Sequence, residues 1–287
     1  MKNKNIYKIL CIDHEGGYGG SSRSLYYLLK SLDKNLFEIE VWCGKVGPIQ
    51  SIYKDHNILS KVYQMPTMNT VFSFTRNIIS LINFTKIFIK NYSVYKNMSK
   101  NIHTNFDLVH FNHPNLYLLA LFLKIKNKDK PFTFHMRTML EDLYEGTAEY
   151  IFSKNINKLL SKFLAKKQIK IISKVSEKVI FISNNEKKSY HRLGGYRDGE
   201  IIYNLLSNIS NNVHLKLIDE KRFKIAAIEN YRWSRGTDRL IEIAEELKHN
   251  NRNDIVFVVA GDMTIQNSQK SKLNSSFNKY RTLIEYV

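Results

Sequence analysis

Cysteine is nearly absent: the chain of 287 residues has two, Cys11 and Cys43. Each lies inside an apolar run, "ILCI" or "VWC", and reads as a small core residue rather than half of a bridge. No CxxC pair or Cys/His cluster accompanies them, so no metal site is expected. Long apolar runs are missing too. The longest, "LYLLALFL" from Leu116 to Leu123, falls well short of the roughly 18 residues a membrane span needs. The start, "MKNKNIYKILCID", lacks a small-residue cleavage site and reads as a first strand, not a signal peptide, which gives a cytoplasmic expectation. Acidic residues are in deficit. Against 44 Lys+Arg stand 26 Asp+Glu, a formal charge of +18. Such an excess favours an anionic partner: nucleic acid, a phosphorylated metabolite or an acidic membrane surface. Nucleic acid is set aside, because no recognition module accompanies the charge.

What is present is an alternation of short β-rich runs with longer leucine- or isoleucine-spaced segments, the pattern of parallel βαβ units. Strands are expected over 7–12, 38–43, 108–111, 132–135, 179–182, 200–202, 223–228 and 255–260. Helices are expected over 22–32, 75–96, 115–126, 150–174, 185–193 and 237–249. The polar, Asn/Ser-rich stretch "YNLLSNISNNVHLKLIDEKR" separates two series, giving an expected division into 1–207 and 208–287. The fold class is α/β with two Rossmann-like, doubly wound domains. The second is expected to be incomplete, since the final "TLIEYV" stops as if another strand were beginning.

The stretch "HEGGYGGSSRSLYYLLKSL" carries four glycines in five positions, 16 to 20, between a strand and a helix. A strand feeding a glycine loop and a helix N-terminus is an anion site by construction, because the first helical N–H groups are unpaired. Missing β-carbons at Gly16, Gly17, Gly19 and Gly20 would let a phosphate or sugar reach the backbone, with Ser21 or Ser22 as helix cap. The Walker form fails for want of a Lys-Ser/Thr pair. The dinucleotide form finds Gly17 and Gly19 but Ser22 at its third place, and Glu38 or Glu40 could serve as its ribose-binding acid. A second pattern is a lysine at every fourth position from Lys154 to Lys178. It reads as a solvated helix face or as a surface for anionic lipid headgroups.

Taken with six further segments, the loop resembles the two-domain (GT-B) glycosyltransferases of the large retaining group 1 that includes bacterial cell-surface polysaccharide, capsule and lipopolysaccharide transferases. The matching segments are "FDLVHFNHP", "PFTFHMR", "VIFISNNEKKSYHRLG", "IIYN" and "YRWSRGTDRLIEIAEEL" followed by "FVVAGD". The resemblance implies transfer of a sugar from a nucleotide-diphosphate donor, UDP- or GDP-linked, to a lipid-linked or glycan acceptor. It requires no further cofactor and no metal, and it suggests a peripheral position at the inner face of the plasma membrane. It implies a sugar-contacting, catalytic His135. Donor-phosphate contacts would come from Gly19, Gly20, Arg232 and Arg235. Substrate contacts would come from His14, Arg137, Ser183 and Asn204. Arg235 stands where that group has Lys, and Asn230 replaces its Arg. Its acidic E-x7-E segment would follow Val287, which leaves activity of the chain open. The alternatives are an NAD(P)-dependent oxidoreductase or epimerase, and a truncated inactive sugar-nucleotide-binding protein.

Overall fold

The computed structural model describes residues 6–65, 74–138, 140, 154–204, 222–228, 237–252, 254–260 and 284–286. The chain divides into two compact units, Met1–Ile209 and Ser210–Val287.

The first unit runs β1 (Tyr7–Asp13), α1 (Gly20–Ser31), β2 (Phe37–Cys43), α2 (Ile49–Asp55), β3 (Leu59–Val62), α3 (Phe74–Lys90), α4 (Tyr92–Asn105), β4 (Leu108–Phe111), α5 (Tyr117–Lys126), β5 (Phe132–Met136), α6 (Lys154–Val175), β6 (Lys178–Phe181), α7 (Asn184–Arg192) and β7 (Gly199–Ile201). Its seven strands form one parallel sheet in the order β3-β2-β1-β4-β5-β6-β7. The order reverses between β1 and β4. In a doubly wound sheet that reversal opens a crevice beyond the carboxyl ends of the two strands.

Side-chain alternation along the strands builds a core on each face of this sheet. Leu10, Ile12 and Trp42 enter the larger cluster, with Phe111, Phe134 and residues of α4, α5 and α6. Cys11, Val41 and Cys43 enter the smaller one, with Leu25, Tyr26 and Leu29 of α1 and Tyr53 of α2. Both cysteines are free and buried, and burial pushes their thiols up to about 12 and about 11.

Three elements depart from the sequence expectation. The helix expected over 75–96 is two helices, broken at Asn91, whose φ of −109° and ψ of 19° leave the helical region. Its side-chain amide bonds the Ile87 carbonyl and Gln64 instead. β3 and α2 had no prediction. β3 is a short edge strand with mostly exposed residues, so it carries little apolar alternation to read.

The second unit contains β8 (Phe223–Ile228), α8 (Thr237–His249), β9 (Ile255–Ala260) and β10 (Ile284–Tyr286). Its strands are parallel in the order β10-β9-β8. Val256, Phe257 and Val258 are buried, as are Ile241 and Ala244 of α8.

Phe111 is fully buried, stacked on Phe134 at 4.8 Å between ring centroids and tilted over Phe132 at 5.3 Å. Phe111→Ala should lower the urea unfolding free energy by about 3–5 kcal/mol. A loss below about 1 kcal/mol would show that this ring is not part of a close-packed centre.

Candidate functional site

The carboxyl ends of β1, β4 and β5, at the strand-order reversal, gather an unusual density of polar side chains in an otherwise apolar interior. Asp13 ends β1 with its side chain fully buried, and His110 and His135 are 5% and 2% exposed. Asn112, immediately after β4, is fully buried as well. Its amide donates to the Ser21 hydroxyl at 3.1 Å, and its oxygen accepts from Arg137 Nε at 2.7 Å.

Arg137 ties the group together. Its Nη1 donates to Ser24 Oγ of α1 at 2.7 Å and to Asn204 Oδ1 at 3.2 Å. Ser24 in turn donates to the same Asn204 oxygen at 2.6 Å. Its Nη2 is buried and finds no partner among the described residues. Burial pulls the guanidinium down to about 10, against the charge of Asp13. It therefore stays cationic at neutral pH.

The histidines are driven the other way. Burial, then the charge of Arg137, lowers His110 to about 3; burial, then the charge of His14, does the same for His113. Burial, followed by the charge of Arg137 and the nearby His110, also places His135 far below the usual histidine range. These rings are neutral. His110 Nδ1 bonds Thr133 Oγ1 at 2.9 Å, and the ring lies edge-on to His135 at 5.7 Å. Neither nitrogen of His135 has a partner among the described residues, and His110 Nε2 also lacks one. Buried polar atoms left open in this way are what a ligand or ordered water would satisfy.

On the β1 side, the His14 ring lies tilted against His113 at 4.2 Å between ring centroids. Its Nδ1 lies 3.4 Å from Asp13 and its Nε2 3.5 Å from Glu15. Burial pushes the Asp13 carboxyl up, but the neighbouring His14 and Ser22 side chains and the Glu15 N–H outweigh it and hold the group below its ordinary value.

The glycine loop divides into two jobs. At Gly16 a β-carbon would collide with the Lys45 carbonyl, at Gly44 with the His14 carbonyl, and at Gly47 with the Gly16 carbonyl. These three let the loops after β1 and β2 pack backbone to backbone, so the expectation that Gly16 opens room for a ligand is corrected. At Gly17 and Gly20 nothing lies within 4 Å of the β-carbon position, and at Gly19 the only neighbour is a Glu15 oxygen at 3.7 Å. That space borders the N-terminus of α1. The expected serine cap is corrected too: Gly19 is the N-cap, with no side-chain hydrogen bond. The helical ladder starts at the Arg23 N–H, bonded to the Gly19 carbonyl at 2.9 Å, so Gly20, Ser21 and Ser22 keep their N–H groups outside it. Tyr18, on the loop, is exposed beneath the Arg23 guanidinium, 5.2 Å from its ring centroid.

Of the residues expected at a site, the structure brings Arg137 and Asn204 into this network, His135 against its rim and His14 beside Asp13 and His113, while Gly19 and Gly20 flank the open space. Ser183 lies at the start of α7. Its hydroxyl accepts the Glu186 N–H at 3.3 Å, while Glu186 accepts the Ile182 N–H at 2.8 Å, a reciprocal cap on α7. Arg232 and Arg235 lie outside the described residues. Asn112, Ser24 and Asp13 were not singled out as ligands. Asn112 was nonetheless signalled: it is a polar residue directly after the apolar run "LVHF", at the end of the sheet where ligands bind. Among the described residues, no group of three or more His, Cys, Asp or Glu side chains is arranged to hold a metal.

The model of the family described as Glycosyltransferase Family 4 matches residues 18–206, a stretch that includes Gly19, Gly20, Asn112, Arg137 and Asn204. The chain belongs to that family. Solved structures agree on the GT-B fold. The chain is similar to the Anabaena protein HepE crystallised with UDP and glucose, at 14% identity and a TM-score of 0.67, covering 98% of this chain and 69% of that one. It is also similar to a glycosyltransferase from Rickettsia africae, at 17% identity and a TM-score of 0.60, covering 99% and 68%. A third is the lipopolysaccharide outer core galactosyltransferase WaaB, at 15% identity and a TM-score of 0.56, covering 97% and 67%. No curated protein matches the sequence.

The buried neutral histidines of this family member make its stability depend on pH. The unfolded chain binds protons on them below about 6.5, while the folded chain resists until near 3. Their contribution is complete above the ordinary histidine value and is lost as the pH falls from there towards 3. Each histidine should add about 1.4 kcal/mol per pH unit to the slope of unfolding free energy between pH 6 and 4. His110→Gln should remove one histidine's share. An unchanged slope in that variant would show that His110 is not held neutral.

Proposed function

We propose that the chain transfers a sugar from a nucleotide-diphosphate donor to a lipid-linked or polysaccharide acceptor in cell-surface glycan synthesis, with retention of configuration, at the cytoplasmic face of the membrane. Family membership supports the reaction class. The observation that carries the reading is the uncapped N-terminus of α1, bordered by the open space at Gly17, Gly19 and Gly20 and followed by Ser24, which binds the half-free guanidinium of Arg137.

Glycosyl transfer passes through an oxocarbenium-like state while negative charge grows on the departing diphosphate. Donors fixed in advance and aimed at that charge lower the barrier most. Here the N–H groups of Gly20, Ser21 and Ser22 supply such donors, and the absent β-carbons at Gly19 and Gly20 let phosphate oxygens approach them. Arg232 and Arg235 are assigned as donor-phosphate contacts, since a guanidinium can bind two oxygens at once. His135, neutral and with both ring nitrogens open, is suited to a sugar hydroxyl, which it can meet as donor or acceptor. Arg137, with Nη2 open, is assigned to an acceptor phosphate or hydroxyl, and His14 to the acceptor side of the loop. We place the acceptor half in residues 1–207 and the donor half in 208–287. HepE, crystallised with UDP and glucose, supports a UDP-linked donor, and WaaB supports a lipopolysaccharide-type acceptor.

Thermal unfolding against UDP, GDP, CDP, ADP, their common sugar conjugates and NAD(P) tests this. One nucleoside diphosphate or its conjugate should raise the unfolding temperature, with about 2.7 kcal/mol of stabilisation at a hundred times its Kd. A response to NAD(P) alone would replace the transferase by an oxidoreductase. In a transfer assay, Arg137→Gln should reduce kcat/KM by about 10- to 100-fold, the cost of a lost charged hydrogen bond. Wild-type kinetics in that variant would remove Arg137 from the site.

A further inference from the structure

Between Asp55 and Asp107 the sequence contains no acidic residue, and α6 contains none either. The first interval holds α3 and α4. At about 100° per residue, α3 carries an apolar arc from Phe84 through Phe88, Leu81 and Ile89 to Ile82, with Lys86 and Lys90 beyond it. The fold uses only one edge of this arc. Phe88 packs on Tyr95 at 5.3 Å and on Phe122 of α5 at 5.0 Å between ring centroids. Leu81, Ile82 and Ile89 remain 49%, 47% and 69% exposed, and Tyr92, at the start of α4, is 48% exposed. An amphipathic helix normally buries its apolar stripe; this one turns half of it to solvent beside lysines. α6 packs against α3 and continues the charge, since Lys162, Lys166, Lys170 and Lys174 are all exposed on one sector of it.

The geometry points to a docking face formed by the outer stripe of α3, with the lysines of α3 and α6, whose partner is an anionic lipid surface. The apolar side chains enter the headgroup boundary and the lysines meet the negative headgroups, the two attractions that hold an interfacial helix. A second copy of the chain is the weaker occupant, because a two-fold contact would set these lysines against themselves with no acidic residue on either helix to relieve them. This face deepens the proposal of a lipid-linked acceptor by placing the enzyme where that acceptor resides. Its test requires no donor and no turnover, so a failed docking experiment and a failed transfer assay remain distinct results.

The experiment is flotation of the full chain with vesicles of phosphatidylcholine alone and of phosphatidylcholine with phosphatidylglycerol, at low and physiological salt. Retention is expected on the anionic vesicles and should fall as salt rises, within the screening range of surface charge. Leu81→Asp/Ile89→Asp should abolish it while leaving the thermal unfolding midpoint unchanged, since both side chains are largely exposed. Lys86→Gln and Lys90→Gln should each weaken retention about fivefold, the value of one lysine near such a surface. Equal retention on neutral and anionic vesicles, or undiminished retention of the Asp variant, would overturn the proposal. So would a wild-type dimer that becomes a monomer in the Asp variant, since a second copy would then cover the stripe.

Discussion

Arg137 is the interaction on which the candidate site depends. A guanidinium largely removed from water is costly unless its donors are matched, and three side chains from separate parts of the sheet's edge do the matching: Asn112 after β4, Ser24 on α1 and Asn204 after β7. Because one cation bridges all three, their relative positions are fixed together. Asn112 extends the network to Ser21, in the first turn of α1. The orientation of the helix whose N–H groups face the open loop is therefore coupled to the same arginine.

The same burial sets the chemistry of its surroundings. Burial, reinforced by the charge of Arg137, keeps His110 and His135 neutral. Asp13, the one fully buried carboxylate at these strand ends among the described residues, is stabilised by the polar groups beside it and opposes the arginine. The outcome is a site with one strong cation, neutral imidazoles and open backbone N–H groups, suited to a polar ligand that carries negative charge. The outer stripe of α3 and the lysine sector of α6 are of another kind, exposed apolar surface beside exposed charge.

Much of this was legible in the sequence. The alternation of apolar runs gave the parallel sheet because buried strands and amphipathic helices leave distinct periods. Glycines 16 to 20 marked the strand–helix turn, and His135 and Arg137 stood out at the end of "PFTFHMR". The division of labour among the glycines was not legible, because Gly16 is required by a contact with Lys45, distant in sequence and close only once β1 and β2 pair. Asn112 and Ser24 matter through bonds to residues 25 and 113 positions away. Ser183 matched a motif, yet the Glu three residues later already signalled a helix cap. The break at Asn91 was hidden because the residues on both sides of it are strong in apolar spacing.

Donor binding where α1 begins, beside the strand ends held by Arg137, can be read by amide hydrogen exchange of the full chain with and without whichever nucleoside diphosphate raises its unfolding temperature. Slowed exchange should concentrate at residues 17–24, 110–115 and 135–138. Protection confined to other segments, with these amides unchanged at saturating ligand, would contradict it.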